Sequence, residues 1–70
     1  MATPDICVRI GRKIRLQRTE KGWTQQVLAD HAQITREHLS ELESGNKEMG
    51  VRTLEQIAIA LGVSPKDLID

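Results

Sequence analysis

Residues 24–44 read TQQVLADHAQITREHLSELES. Two threonines in this stretch, Thr24 and Thr35, each follow an apolar residue and precede a leucine four positions on, giving Trp23-Thr24-Leu28 and Ile34-Thr35-Leu39. A hydroxyl in that place caps the free N–H groups of a helix's first turn, and the flanking apolar pair staples the incoming chain. Two short helices are therefore predicted, over about 25–31 and 36–44. The few residues between them are too few for antiparallel packing, so the pair must cross steeply. Leu28, Ala29, Ala32, Ile34, Leu39 and Leu42 form their shared apolar side, with the small Ala29 where the two helices come closest.

The same device repeats outward from this stretch. Met49-Gly50-Leu54 marks one further start, with glycine a weaker cap. Val63-Ser64-Leu68 marks another, with Pro65 at the first helical position and Asp67 placed to complete a capping box. Gly22, Gly45 and Gly62 stand where helices should stop. Ahead of the quoted stretch, a first helix is predicted from near Thr3 and Pro4 to about Lys21. Ile6, Ile10 and Ile14 recur along one of its faces, and Arg18 is next. Val51, Leu54, Ile57, Ala58 and Leu61 fall at core spacing in the fourth helix. The expectation is an all-α bundle of five helices formed by residues 1–70 as one domain.

Bulk properties agree with that architecture. Seventy residues with one aromatic and few β-branched runs suit several helices around one small core. Cys7 is the only cysteine, so no disulfide can form within the chain, and no apolar run is long enough for a signal sequence or a membrane span. A cytoplasmic location without membrane association is expected. Net charge is zero, but residues 1–25 carry six basic groups against two acidic ones, a local +4, and the remainder carries −4. A polarised surface of this kind is compatible with binding a polyanion despite the neutral sum.

Two short helices in steep contact have the geometry of a helix-turn-helix. In these residues the sequence resembles the Cro/C1-type, or Xre, helix-turn-helix family. The resemblance is carried by Ile14, Arg15, Arg18, Gly22 to Gln25, Leu28, Ala29, Thr35, Leu39, Leu42, Glu43, Gly45, Leu54, Ile57, Ala58 and Ala60 to Ser64, and it covers roughly residues 9–69. It implies a lambda-repressor-like five-helix domain, a homodimer, and a symmetric site on double-stranded DNA. Stand-alone phage repressors and controllers of restriction-modification systems are the similar subtypes. Two positions depart from the family pattern. Gln33 stands in the turn where glycine in a left-handed conformation is usual, and Gln17 replaces a usual leucine.

With Leu39 and Leu42 inward, the second short helix turns Glu37, Ser40, Glu41 and Ser44 outward, and Arg36 projects from its first turn. Arg36 can pair bidentately with guanine, and Glu37 or Glu41 can accept from the cytosine amino group. Arg36, Glu37, Ser40 and Glu41 are thus the candidate base contacts, the alternative for the glutamates being mere solvation of the helix. Candidate phosphate contacts are Gln25 at a helix start, Thr35 as both cap and contact, and Ser44, Asn46 and Lys47 at the far end. Arg18 lies on an apolar face and needs a partner, for which Glu43 is the candidate. Arg9, Arg12 and Lys13 either approach DNA or are solvated.

Ile59 falls off the apolar stripe of its helix and Ile69 closes the chain nearby, which marks them as a candidate dimer interface. Trp23 is expected in the core, Cys7 near the buried face of the first helix, and His31 and His38 at helix surfaces. The histidines stand seven apart with no second cysteine, so no metal site has its spacing, and no cofactor is implied. No nucleophile stands with a base and no glycine loop cradles phosphate, which speaks against an enzyme. Nor do these residues include a small-molecule effector domain. The competing function is a helical, antitoxin-like protein-interaction module whose acidic face binds a basic partner.

Overall fold

The computed structural model describes residues 5–70. It consists of five helices, α1 (Ile6–Glu20), α2 (Gln25–Ala32), α3 (Arg36–Ser44), α4 (Val51–Leu61) and α5 (Pro65–Ile69), with no strand among the described residues. Each helix start places an acceptor against free backbone donors where the sequence supplies one. Thr24 accepts from the Val27 N–H at 3.2 Å and Thr35 from the His38 N–H at 3.0 Å. At α5 the Asp67 carboxylate accepts from the Ser64 N–H at 3.1 Å, and Pro65 occupies the first turn, where a missing N–H leaves no bond unmade. The start expected near Thr3 and Pro4 lies outside the described residues, within which Asp5 caps α1 by accepting from the Cys7 N–H at 2.7 Å.

Helix ends separate one residue from the rest. Gly45 ends α3 with φ 77°, whereas α2 ends on Gln33 with φ 61°, the one non-glycine residue at positive φ among the described residues. That conformation costs a residue with a Cβ about 1 kcal/mol. The strain sits in the turn between α2 and α3, where Ile34 N–H still closes the helix on the Ala29 carbonyl at 3.0 Å.

The core draws on every helix: Ile10 and Ile14 from α1, Leu28, Ala29 and Ala32 from α2, Leu39 and Leu42 from α3, Leu54, Ile57, Ala58 and Leu61 from α4, and Leu68 from α5. α1 packs against α3, α4 and α5, while α2 packs against α3 and α4. Gly11 allows α1 to come close against the α3 backbone. A Cβ there would overlap the Leu42 carbonyl oxygen and stand 2.6 Å from that of Glu43.

Two residues expected on core faces lie outside the core. Val51 is 85% exposed and Ile6 is 51% exposed. Each opens its helix, one turn before the first buried apolar residue, Leu54 and Ile10 respectively, so each overhangs the core although its spacing points toward it. Trp23 is half-buried against the core, stacked on His31 with ring centroids 4.6 Å apart, and Lys21 Nζ lies 5.2 Å from its ring. Cys7 is likewise half-buried.

Candidate nucleic-acid interface

One buried ion pair ties α1 to the α2–α3 pair. Arg18 continues the apolar face of α1, and its guanidinium meets Glu43 on the inner side of α3. Nε donates to Glu43 Oε2 at 2.7 Å and Nη2 to Oε1 at 3.1 Å, the two-pronged arrangement that fixes both partners in orientation. Nη1 donates to the Trp23 carbonyl at 2.7 Å, and Gln25 Nε2 donates to Glu43 Oε1 at 3.1 Å. The Arg18 and Glu43 side chains are 11% and 4% exposed, and no buried side-chain polar atom lacks a partner among the described residues. The clamp therefore ties the end of α1 and the start of α2 to α3 without leaving a desolvated charge unmatched.

The clamp floors a shallow groove of about 290 Å³ lined by Arg15, Arg18, Gln25, Ser40, Glu43 and Ser44. Besides the expected pair Arg18 and Glu43, it brings together three of the candidate DNA contacts, Gln25, Ser40 and Ser44. Gln25 has one amide N–H committed to Glu43 and keeps its second N–H and its carbonyl oxygen. Ser40 is half-buried at the side of α3, and Ser44 donates its hydroxyl to the Glu41 carbonyl at 2.9 Å. Arg15, one of the residues that carry the family resemblance but not among the candidate DNA contacts, borders the groove with an exposed side chain. The signal was present: three residues before Arg18, it shares that side of α1.

Beyond the groove, α3 presents its outer face. Arg36 and Glu37 are 51% and 77% exposed, with Arg36 Nη2 4.0 Å from Glu37 Oε2. Glu41 is 47% exposed and its Oε1 is 3.7 Å from Lys47 Nζ. Thr35 accepts the His38 N–H and keeps its own O–H to give, so capping and a phosphate contact are compatible. Asn46 is fixed by its backbone, whose N–H donates to the Glu41 carbonyl at 3.1 Å, and its side chain is exposed. On the outer side of α1, Arg9 and Arg12 are exposed. Ile59 is 71% exposed at the edge of a second groove, with His31, Gln33 and Gln56, whereas Ile69 packs partly against the core. Among the described residues no cluster of three His, Cys, Asp or Glu could hold a metal ion, and no helix is long and apolar enough to cross a membrane.

A family model described as helix-turn-helix matches residues 14–68, which takes in the clamp, the groove and the whole outer face of α3. The chain belongs to the helix-turn-helix family. Among relatives of this helix-turn-helix protein, the control protein C.BamHI of Bacillus amyloliquefaciens is 36% identical over 69 residues, covering 97% of this chain and 85% of that one. In structure it is similar to the restriction-modification controller protein C.AhdI from Aeromonas hydrophila, with a TM-score of 0.86 and 29% identity over 89% of this chain and 94% of that one. It is also similar to SinR, a master regulator for biofilm formation solved in complex with DNA, with a TM-score of 0.83 and 32% identity over 87% of this chain and 98% of that one. These relatives place the helix-turn-helix in the Cro/C1, or Xre, type.

Proposed function

We propose that this helix-turn-helix transcription regulator acts in the cytoplasm as a homodimer on a palindromic duplex, with α3 in the major groove. The observation that carries the reading is the Arg18–Glu43–Gln25 clamp, which removes one α3 acid from the surface and holds the remaining outer face of that helix rigidly beside the start of α2. In this reading Arg36, Glu37 and Glu41, with Ser40 at their edge, face base pairs. Gln25, Thr35, Ser44, Asn46 and Lys47 hold the phosphates on either side. Arg15 joins them, because its exposed guanidinium borders the groove where Gln25 retains a free amide N–H.

The exposed Ile59 supplies the surface on which two copies meet, with Ile69 a second candidate at the interface. Likeness to two control proteins favours a controller of a restriction-modification system, acting by occupying promoter DNA. Binding of a selected duplex, titrated across salt, tests the assignment of roles. Arg36→Ala should relax one base position and cost about 1–3 kcal/mol there, whereas Gln25→Ala and Arg15→Ala should weaken every duplex alike. A uniform loss from Arg36→Ala would reassign that residue to phosphate.

A further inference from the structure

The acids on the outer face of α3 pair with neighbouring cations. Lys47 Nζ lies 3.7 Å from Glu41 Oε1, and Arg36 lies 4.0 Å from Glu37, all four side chains being substantially exposed. The Glu41–Lys47 contact has a built frame. Asn46 N–H donates to the Glu41 carbonyl, Gly45 N–H donates to the Leu42 carbonyl, and Gly45 at φ 77° turns the chain so that Lys47 returns beside the last turn of α3. An acid this near a helix C-terminus opposes the helix dipole, a cost that the pairing with Lys47 offsets.

From this arrangement we infer that Glu41 is a discriminator against unmatched DNA, acting by restraining Lys47. The inference rests on the reading of this face as a duplex-binding surface. In the free protein the carboxylate lies 3.7 Å from the ammonium and offsets part of the charge that would otherwise neutralise a phosphate. For Lys47 to reach the backbone, the pair must separate, and Glu41 is left in a groove flanked by phosphates. A base pair that offers an exocyclic amino group at that point, cytosine above all, replaces the lysine as donor. A base pair without one leaves the carboxylate unpaired and keeps Lys47 drawn back. Phosphate gripping by Lys47 is thereby made conditional on the base that Glu41 meets.

The test uses the full chain as wild type, Glu41→Gln, Lys47→Met and the double variant, each bound to a random-sequence duplex across a range of salt. Glu41→Gln should bind that duplex about two- to five-fold tighter, the scale of an exposed ion pair. Its log–log salt dependence should steepen by about 0.9, one further phosphate neutralised. The steeper salt dependence and most of the tightening should vanish in the double variant, and duplex selection with Glu41→Gln should change its preference at one base position only. No tightening, or a tightening undiminished by the loss of Lys47, overturns the role given to Glu41. Wild type that binds no duplex in a salt-dependent way overturns the duplex-binding reading itself, and the inference with it. Thermal melts of all four proteins separate these outcomes from loss of fold.

Discussion

Arg18 and Glu43 show how much one residue pair settles in a chain of this size. Their side chains are almost fully enclosed, and each of the three guanidinium nitrogens of Arg18 donates to an acceptor within 3.1 Å. Arg18→Met should destabilise the protein by about 3–5 kcal/mol in chemical denaturation, because it leaves the Glu43 carboxylate buried with only the Gln25 amide beside it. The double replacement Arg18→Met with Glu43→Leu should recover most of that loss. Equal losses in the single and double variants would show that packing, not the unmatched charge, dominates. Such a pair is legible in sequence because a cation on an apolar face must find an acid. Arg15 was less so, since an exposed cation carries no such requirement.

Cys7 gives a second residue-scale outcome. Partial burial, reinforced by the Asp5 and Glu48 carboxylates, pushes its thiol above the ordinary value. The thiolate is the reactive form, so alkylation near neutral pH should be slower than that of free cysteine and should rise only as pH climbs past the usual thiol range. Reaction at the free-cysteine rate near pH 7 would contradict the placement.

At the scale of elements, caps and staples were legible and tertiary approach was not. Thr24, Thr35, Gly50 and Ser64 each announce a helix by local chemistry alone, and the helices begin where those residues put them. Val51 and Ile6 have core spacing but overhang the core, because periodicity gives a direction and not the place where a neighbouring helix ends. Gly11 carried no local signal, since its purpose lies in the α3 carbonyls that meet it. Gly11→Ala should force α1 away from α3 and cost about 1–3 kcal/mol, measurable by urea unfolding. Gln33 is the opposite case, a departure visible in sequence whose strain the left-handed backbone displays. Gln33→Gly should raise stability by about 0.5–1 kcal/mol while leaving DNA affinity unchanged. A loss of stability would mean that the turn is held by the glutamine side chain.

For the whole molecule, dimensions and charge frame the proposed assembly. The fold measures 36 × 23 × 23 Å, so the centres of two touching copies lie about 23–36 Å apart according to the axis they share, a range that includes one turn of DNA, about 34 Å. Sedimentation of Ile59→Asp should show monomer at concentrations where the wild type is dimeric, and an unchanged dimer would move the interface elsewhere. A neutral total charge does not oppose DNA binding here, because the exposed arginines Arg9, Arg12 and Arg15 lie along α1 while the acids of α3 are either clamped, as Glu43 is, or paired with neighbouring cations.

Selection of bound duplexes from a random pool tests the central claim most directly. Reading by the outer face of α3 in a two-fold dimer predicts enrichment of two inverted half-sites about 10 base pairs apart, each containing a G·C pair placed for Arg36 or Glu41. A pool that returns without any enriched sequence would contradict it.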